Sequence, residues 1–193
     1  MNAISTIYAC KNNIINRRLA QVILVLSFVI MTALGAYVRI PLPFTPVPIT
    51  LQTFFVILSG AILGKKLGSF SQAAYLFLGI LGAPVFQGYG AGFLYLLGPT
   101  GGYLIGFILA SFVVGSLIDR GKMLSHPRYY IMFAMSLGLL TVYACGIAWL
   151  IIGHKLIFTQ AISLGFIPFI PGAFLKLILA SWIYERVKSK ANL

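Results

Sequence analysis

Acidic residues are nearly missing. The 193-residue chain carries two of them, Asp119 and Glu185, against 14 lysines and arginines, and only 8% of its residues are charged. A soluble domain carries about 25% charge to keep its surface wet, so a water-soluble globule is excluded. A disordered tail is excluded as well, because 60% of the residues are hydrophobic and the mean hydropathy is +1.01. The formal net charge of +12 does not point to nucleic acid. Nucleic-acid binders gather many basic residues on one face, whereas here they stand in small groups between long apolar runs.

Other absences remove whole chemistries. Cys10 and Cys145 lie far apart, and His126 and His154 stand alone, so there is neither a disulfide framework nor a metal-ligand cluster. No G-x-x-x-x-G-K-[ST] loop is present, so the chain does not itself hydrolyse ATP. No paired acids and no Ser-His-acid set support catalysis, and nothing calls for a cofactor. Both acids fall at the ends of apolar runs, which argues against a carboxylate proton relay inside a membrane.

What is present is apolar length. A membrane-spanning helix needs about 20 mostly apolar residues. Runs at 19–38, 49–63, 69–82, 103–118, 129–153 and 171–184 meet or approach that length. The second and third are short and need neighbouring loop residues to complete them. The first has the outline of a signal peptide, but its apolarity is matched by every later run. These runs predict an all-α polytopic membrane protein of one integral domain, 1–193. It comprises a polar amino-terminal segment 1–18, a six-helix core 19–184 and a basic tail 185–193.

The basic residues test that count. With the amino terminus in the cytoplasm, eleven fall on that side: Lys11, Arg17, Arg18, Lys65, Lys66, Arg120, Lys122, Arg128, Arg186, Lys188 and Lys190. Only Arg39 and Lys155 fall outside. That asymmetry is the positive-inside pattern, and it places both termini in the cytoplasm.

The remaining basic residue, Lys176, lies five positions after Pro171, about 7–8 Å into the last helix at ~1.5 Å per residue. An ionisable group inside a span usually faces a cavity or a partner. With both acids placed at the opposite side, an anionic ligand entering from outside is the expected partner. A lysine snorkelling to the interface is the alternative. Gln52, beside Thr50 and Thr53, is a second polar group near the outer end of a span. It suits either ligand binding or helix gluing.

The outer connections are long, nearly uncharged and rich in Pro, Gly and aromatics. The first, 39–48, holds four prolines in ten residues. Such loops are expected to fold over the helices as a lining or lid, because irregular backbone at membrane depth is tolerated only when buried or lining a cavity. Gly102, Gly106 and Ala110, then Ser111 and Gly115, and separately Gly60, Gly64 and Gly68, form small-residue stripes that predict close helix packing.

Three segments carry a family resemblance. Ile40-Pro-Leu-Pro-Phe-Thr-Pro-Val-Pro-Ile-Thr-Leu-Gln-Thr53, Leu97-Gly-Pro-Thr-Gly-Gly-Tyr-Leu-Ile-Gly106 and Pro168-Phe-Ile-Pro-Gly-Ala-Phe-Leu-Lys176 resemble, in order and spacing, the signature motifs of the BioY family. BioY proteins are the biotin-binding S components of energy-coupling-factor (ECF) transporters. The resemblance implies an S-component-like fold, biotin bound at the outer side, and a location in the cell membrane. It also implies a complex with a transmembrane coupling protein and two cytoplasmic ATPases.

The candidate binding residues are Lys176, Gln52, Thr45, Thr100 and Ala173, with Phe86, Tyr89 and Tyr103 as aromatic walls. Ala173 departs from the family pattern, which has an aspartate there, so this chain lacks that acceptor and that counter-ion. An S component for another small organic anion, or a ligand-free scaffold, are the rival readings.

Overall fold

The computed structural model describes residues 14–120 and 128–191. Cys10, Lys11, Lys122 and His126 lie outside the described residues, as do the side chains of Arg17 and Lys190. Helix α1 covers Ile14–Tyr37. Two short strands follow, β1 at Arg39–Ile40 and β2 at Ile49–Thr50. They pair antiparallel, with Arg39 opposite Thr50 and Ile40 opposite Ile49. The Pro-rich loop between them is thereby folded back on itself. Leu51 then ties the loop to the end of α1, donating its N–H to the carbonyls of Gly35 and Val38 at 3.0 and 3.1 Å.

Helix α2, Gln52–Ile80, is not one rod. Gln52 and Tyr75 would stand ~35 Å apart if it were straight, yet the Gln52 amide donates to the Tyr75 hydroxyl at 2.7 Å. The chain reverses at Gly64, whose φ of +79° is outside helical space. That left-handed conformation favours glycine. Asp119 secures the reversal by accepting the Lys65 N–H at 3.3 Å. This backbone donor has no intrahelical partner at the start of the second arm, and an acid there also suits the helix dipole. The inner loop expected at 64–68 is thus a one-residue turn, and the second and third apolar runs are the two arms of a hairpin.

After the short helix α3, Phe93–Leu96, come α4 at Gly101–Arg120 and α5 at Arg128–His154. Helix α6, Phe158–Gly165, occupies what the sequence presents as an outer loop. Helix α7 runs over Ile170–Ala191. Five stretches are long and apolar enough to cross a membrane, and one of them is the doubled α2. The described residues therefore form six helical rods. Large apolar side chains such as Ile23, Ile30, Phe112, Leu140 and Leu179 stand exposed on the outside. A soluble monomer rarely shows an apolar surface so extensive, and a lipid environment accounts for it.

Small residues set how closely the rods approach. A methyl on Gly60 would collide with the Ser111 carbonyl, and one on Gly115 with the Lys65 backbone, so α4 lies directly in the α2 hairpin. Gly102 and Gly106 do the same for α5. This approach brings buried hydroxyls together. Gln72 reaches Ser59 at 3.1 Å, Ser71 at 3.2 Å and Thr32 at 3.4 Å, and Ser59 pairs with Ser111 at 2.9 Å. All five are fully enclosed.

Candidate functional site

At the end of the rods opposite the Gly64 turn, the β1–β2 loop feeds straight into α2. The Thr50 carbonyl accepts from the Lys176 ammonium at 2.6 Å. The Thr53 hydroxyl receives a second bond from the same nitrogen at 3.0 Å. An ammonium has three donors, so one remains. Among the described residues no carboxylate lies within ion-pair distance of Lys176. Glu185 faces Arg128 at 3.8 Å, and Asp119 sits at the Gly64 turn. The half-buried cation is therefore solvated only by a carbonyl and a hydroxyl.

Gln52 stands next to it, almost fully buried. Its carbonyl accepts from the Thr50 hydroxyl at 3.0 Å, and its amide donates to Tyr75, which passes its own proton on to the Val85 carbonyl at 3.0 Å. One amide N–H of Gln52 stays unassigned.

These groups border a cleft with Val47, Pro48, Gln87, Tyr95, Thr100, Tyr103, Leu104, Phe107, Tyr143 and Phe169. The enclosed space between the walls is about 50 Å³, well below the ~300–1,000 Å³ of small-molecule sites. The walls stand close, so an organic ligand must part them to enter. At the rim, Arg39 donates to the Gln87 side-chain carbonyl at 3.2 Å, and Tyr95 donates to the Gln87 backbone carbonyl at 3.2 Å. Burial holds the Tyr95 phenol above its ordinary pKa, so it remains a donor.

Helix α6 lies over this end. Tyr103 donates to the Gly165 carbonyl at 2.8 Å, and Thr45, from the Pro-rich loop, donates to the Leu164 carbonyl at 2.7 Å. Two hydrogen bonds thus hold α6 in place, one from the first loop and one from α4.

Of the residues singled out in the sequence, Lys176, Gln52, Thr100 and Tyr103 border the cleft. The others do not. Phe86 is fully buried behind it, edge-on to Tyr75 and stacked on Tyr95 at 4.9 Å. Tyr89 is 73% exposed and leans on Tyr37. Thr45 acts in the loop clasp. Ala173 borders a separate apolar groove between α5 and α7, with Leu139, Phe166 and Phe174. Tyr95, Phe107, Tyr143 and Phe169 were not singled out. Tyr143 and Phe107 sit mid-run with no polar neighbour to mark them. Tyr95 and Phe169 lie in loop motifs rich in aromatics, where nothing separates wall from packing.

A six-rod membrane protein with a lysine-bearing, acid-free cleft at one end is the class that fold and site define. The chain belongs to the BioY family, which it matches over residues 9–192. It is 43% identical over 168 residues to the probable biotin transporter BioY of Pyrococcus horikoshii, covering 87% of this chain and 96% of that one. It is also 43% identical over 162 residues to the biotin transporter BioY of Thermotoga maritima, covering 83% and 91%. Its fold matches a crystal structure of the S-component for biotin from an ECF-type ABC transporter with a TM-score of 0.85. That match is 28% identical and covers 90% of this chain and 93% of the other.

Proposed function

We propose that the chain captures biotin in the Lys176 cleft and serves as the substrate-binding membrane subunit of an ECF-type transporter. Its relatives are named for biotin transport. The observation that carries the reading is the Lys176 ammonium, held by Thr50 and Thr53 with no acid beside it. A buried charge needs a partner, and a vitamin with a carboxylate and a polar ureido head brings suitable ones. Gln52 adds an amide, and Tyr103, Phe107 and Phe169 offer apolar surface to the ring and chain.

Entry follows from the clasp. Breaking the Thr45–Leu164 and Tyr103–Gly165 bonds frees α6 to lift, and remaking them encloses the ligand. Energy for release comes from partners, since the chain has no phosphate-binding loop of its own. A transmembrane coupling protein and two ATPases are the partners proposed. The cleft faces outward and both termini lie in the cytoplasm, as the distribution of basic residues favours. The chain's role in this scheme is binding rather than catalysis. Equilibrium binding of labelled biotin to the purified protein tests the reading. Saturable binding of one biotin per chain is expected, and its absence would reject it. A ligand panel separates biotin from other small organic anions, a class to which the non-acidic Ala173 lends some weight.

A further inference from the structure

Most of the hydroxyls on the cleft wall are spoken for by protein. Thr50 bonds Gln52, Thr53 receives Lys176, Tyr95 bonds Gln87, and Tyr103 bonds Gly165. Tyr143 is the deeply buried exception. It is 6% exposed, and its hydroxyl makes no hydrogen bond to any described residue. Its ring is gripped by two aromatics, Phe166 edge-on at 5.2 Å and Phe169 at 6.0 Å. The same side chain borders both the cleft and the apolar groove beside Ala173, so it is the partition between them. A buried hydroxyl without a partner costs stability. A phenylalanine would fill the same space without that cost.

We propose that Tyr143 is a specificity-determining residue whose hydroxyl bonds the uncharged ureido head of the ligand inside the cleft. The inference rests on the biotin reading above. The aromatic rings beside this phenol, Phe166 and Phe169, are apolar. A carboxylate driven against them would be stripped of water with one neutral donor in return, which is expensive. A neutral ureido group loses far less, and a hydroxyl can both donate to its oxygen and accept from its N–H. The charged end of the ligand is then left to the mouth and the polar wall.

The test compares wild type with Tyr143→Phe, using biotin and biotin methyl ester as ligands on the purified full chain. The variant removes only a hydroxyl with no partner among the described residues, so the melting temperature of the ligand-free protein is expected to hold or rise. Affinity for biotin is expected to fall about tenfold, and affinity for the ester by the same factor, since both carry the ureido head. Unchanged biotin affinity would overturn the assignment. So would a loss for biotin with none for the ester, which would place the contact at the carboxylate. A lower melting temperature without ligand would show that the hydroxyl is bonded within the protein, and would also overturn it. Failure of the wild type to bind biotin would instead reject the functional reading.

Discussion

Two buried polar clusters lie on the same α2 hairpin, and they differ in what they leave over. Near its middle, Thr32, Ser59, Ser71, Gln72 and Ser111 bond one another and are sealed from the surroundings. The cluster is neutral and offers nothing outward. At its open end, Thr50, Gln52, Thr53 and Lys176 also bond one another, but the cluster carries a positive charge, keeps a spare ammonium donor and a spare amide N–H, and borders a cleft. The first uses its polar groups to fix helix register. The second uses some of them to aim the rest. Polarity inside a membrane protein thus marks a site only when charge, unused hydrogen-bonding capacity and access occur together.

Substitutions can separate the two roles, and they are taken here from the largest expected effect to the smallest. Gly60→Val drives a side chain into the Ser111 carbonyl and prises α4 off the hairpin, so folded protein should be almost lost on size-exclusion chromatography. Backbone cannot yield as a core side chain does. Lys176→Ala should lower biotin affinity about 10–100-fold, the range for a hydrogen bond to a charged group. Its melting temperature should change little, because the cation has no acid to leave behind. Gln72→Leu should do the reverse. It removes the amide's bonds to Ser59, Ser71 and Thr32, each of which keeps a bond to a backbone carbonyl, and should cost about 1–2 kcal/mol of stability in thermal denaturation, while the surviving folded protein binds as before.

Smaller effects refine the picture at the open end. Thr45→Val removes one of the two clasp bonds, and should speed biotin dissociation about threefold in a chase experiment, in line with a loss of ~0.5–1.5 kcal/mol. Tyr89→Ala should leave affinity within about twofold, since an exposed side chain far from any site feature usually matters little. A larger loss would bring the rim loop into the site.

The rods were readable in the sequence because burial in lipid demands long apolar runs, and six of them stand out. Their joints were less so. The Gly64 reversal looks like an ordinary charged loop, since nothing in Gly64-Lys65-Lys66 announces that a distant Asp119 will cap the returning arm. Helix α6 was hidden because its eight residues are far short of a membrane-spanning run.

Lys176 and Gln52 were legible as polar residues where polarity is costly. Tyr143 was not, because an aromatic in mid-helix reads as core, and only the arrangement of its neighbours shows a hydroxyl without a partner. Ala173 sits in the resembling motif one turn before Lys176, yet it faces the neighbouring groove. Position in a motif fixed its neighbourhood and not its cavity.

The central claim is that the Lys176 ammonium awaits a polar group brought by the ligand. A structure determined with biotin bound tests it most directly. The account expects a ligand oxygen about 2.7–3.2 Å from the Lys176 nitrogen, with the Thr50 and Thr53 bonds retained. Biotin seated elsewhere, with that nitrogen still bonded to Thr50 and Thr53 alone, would contradict it.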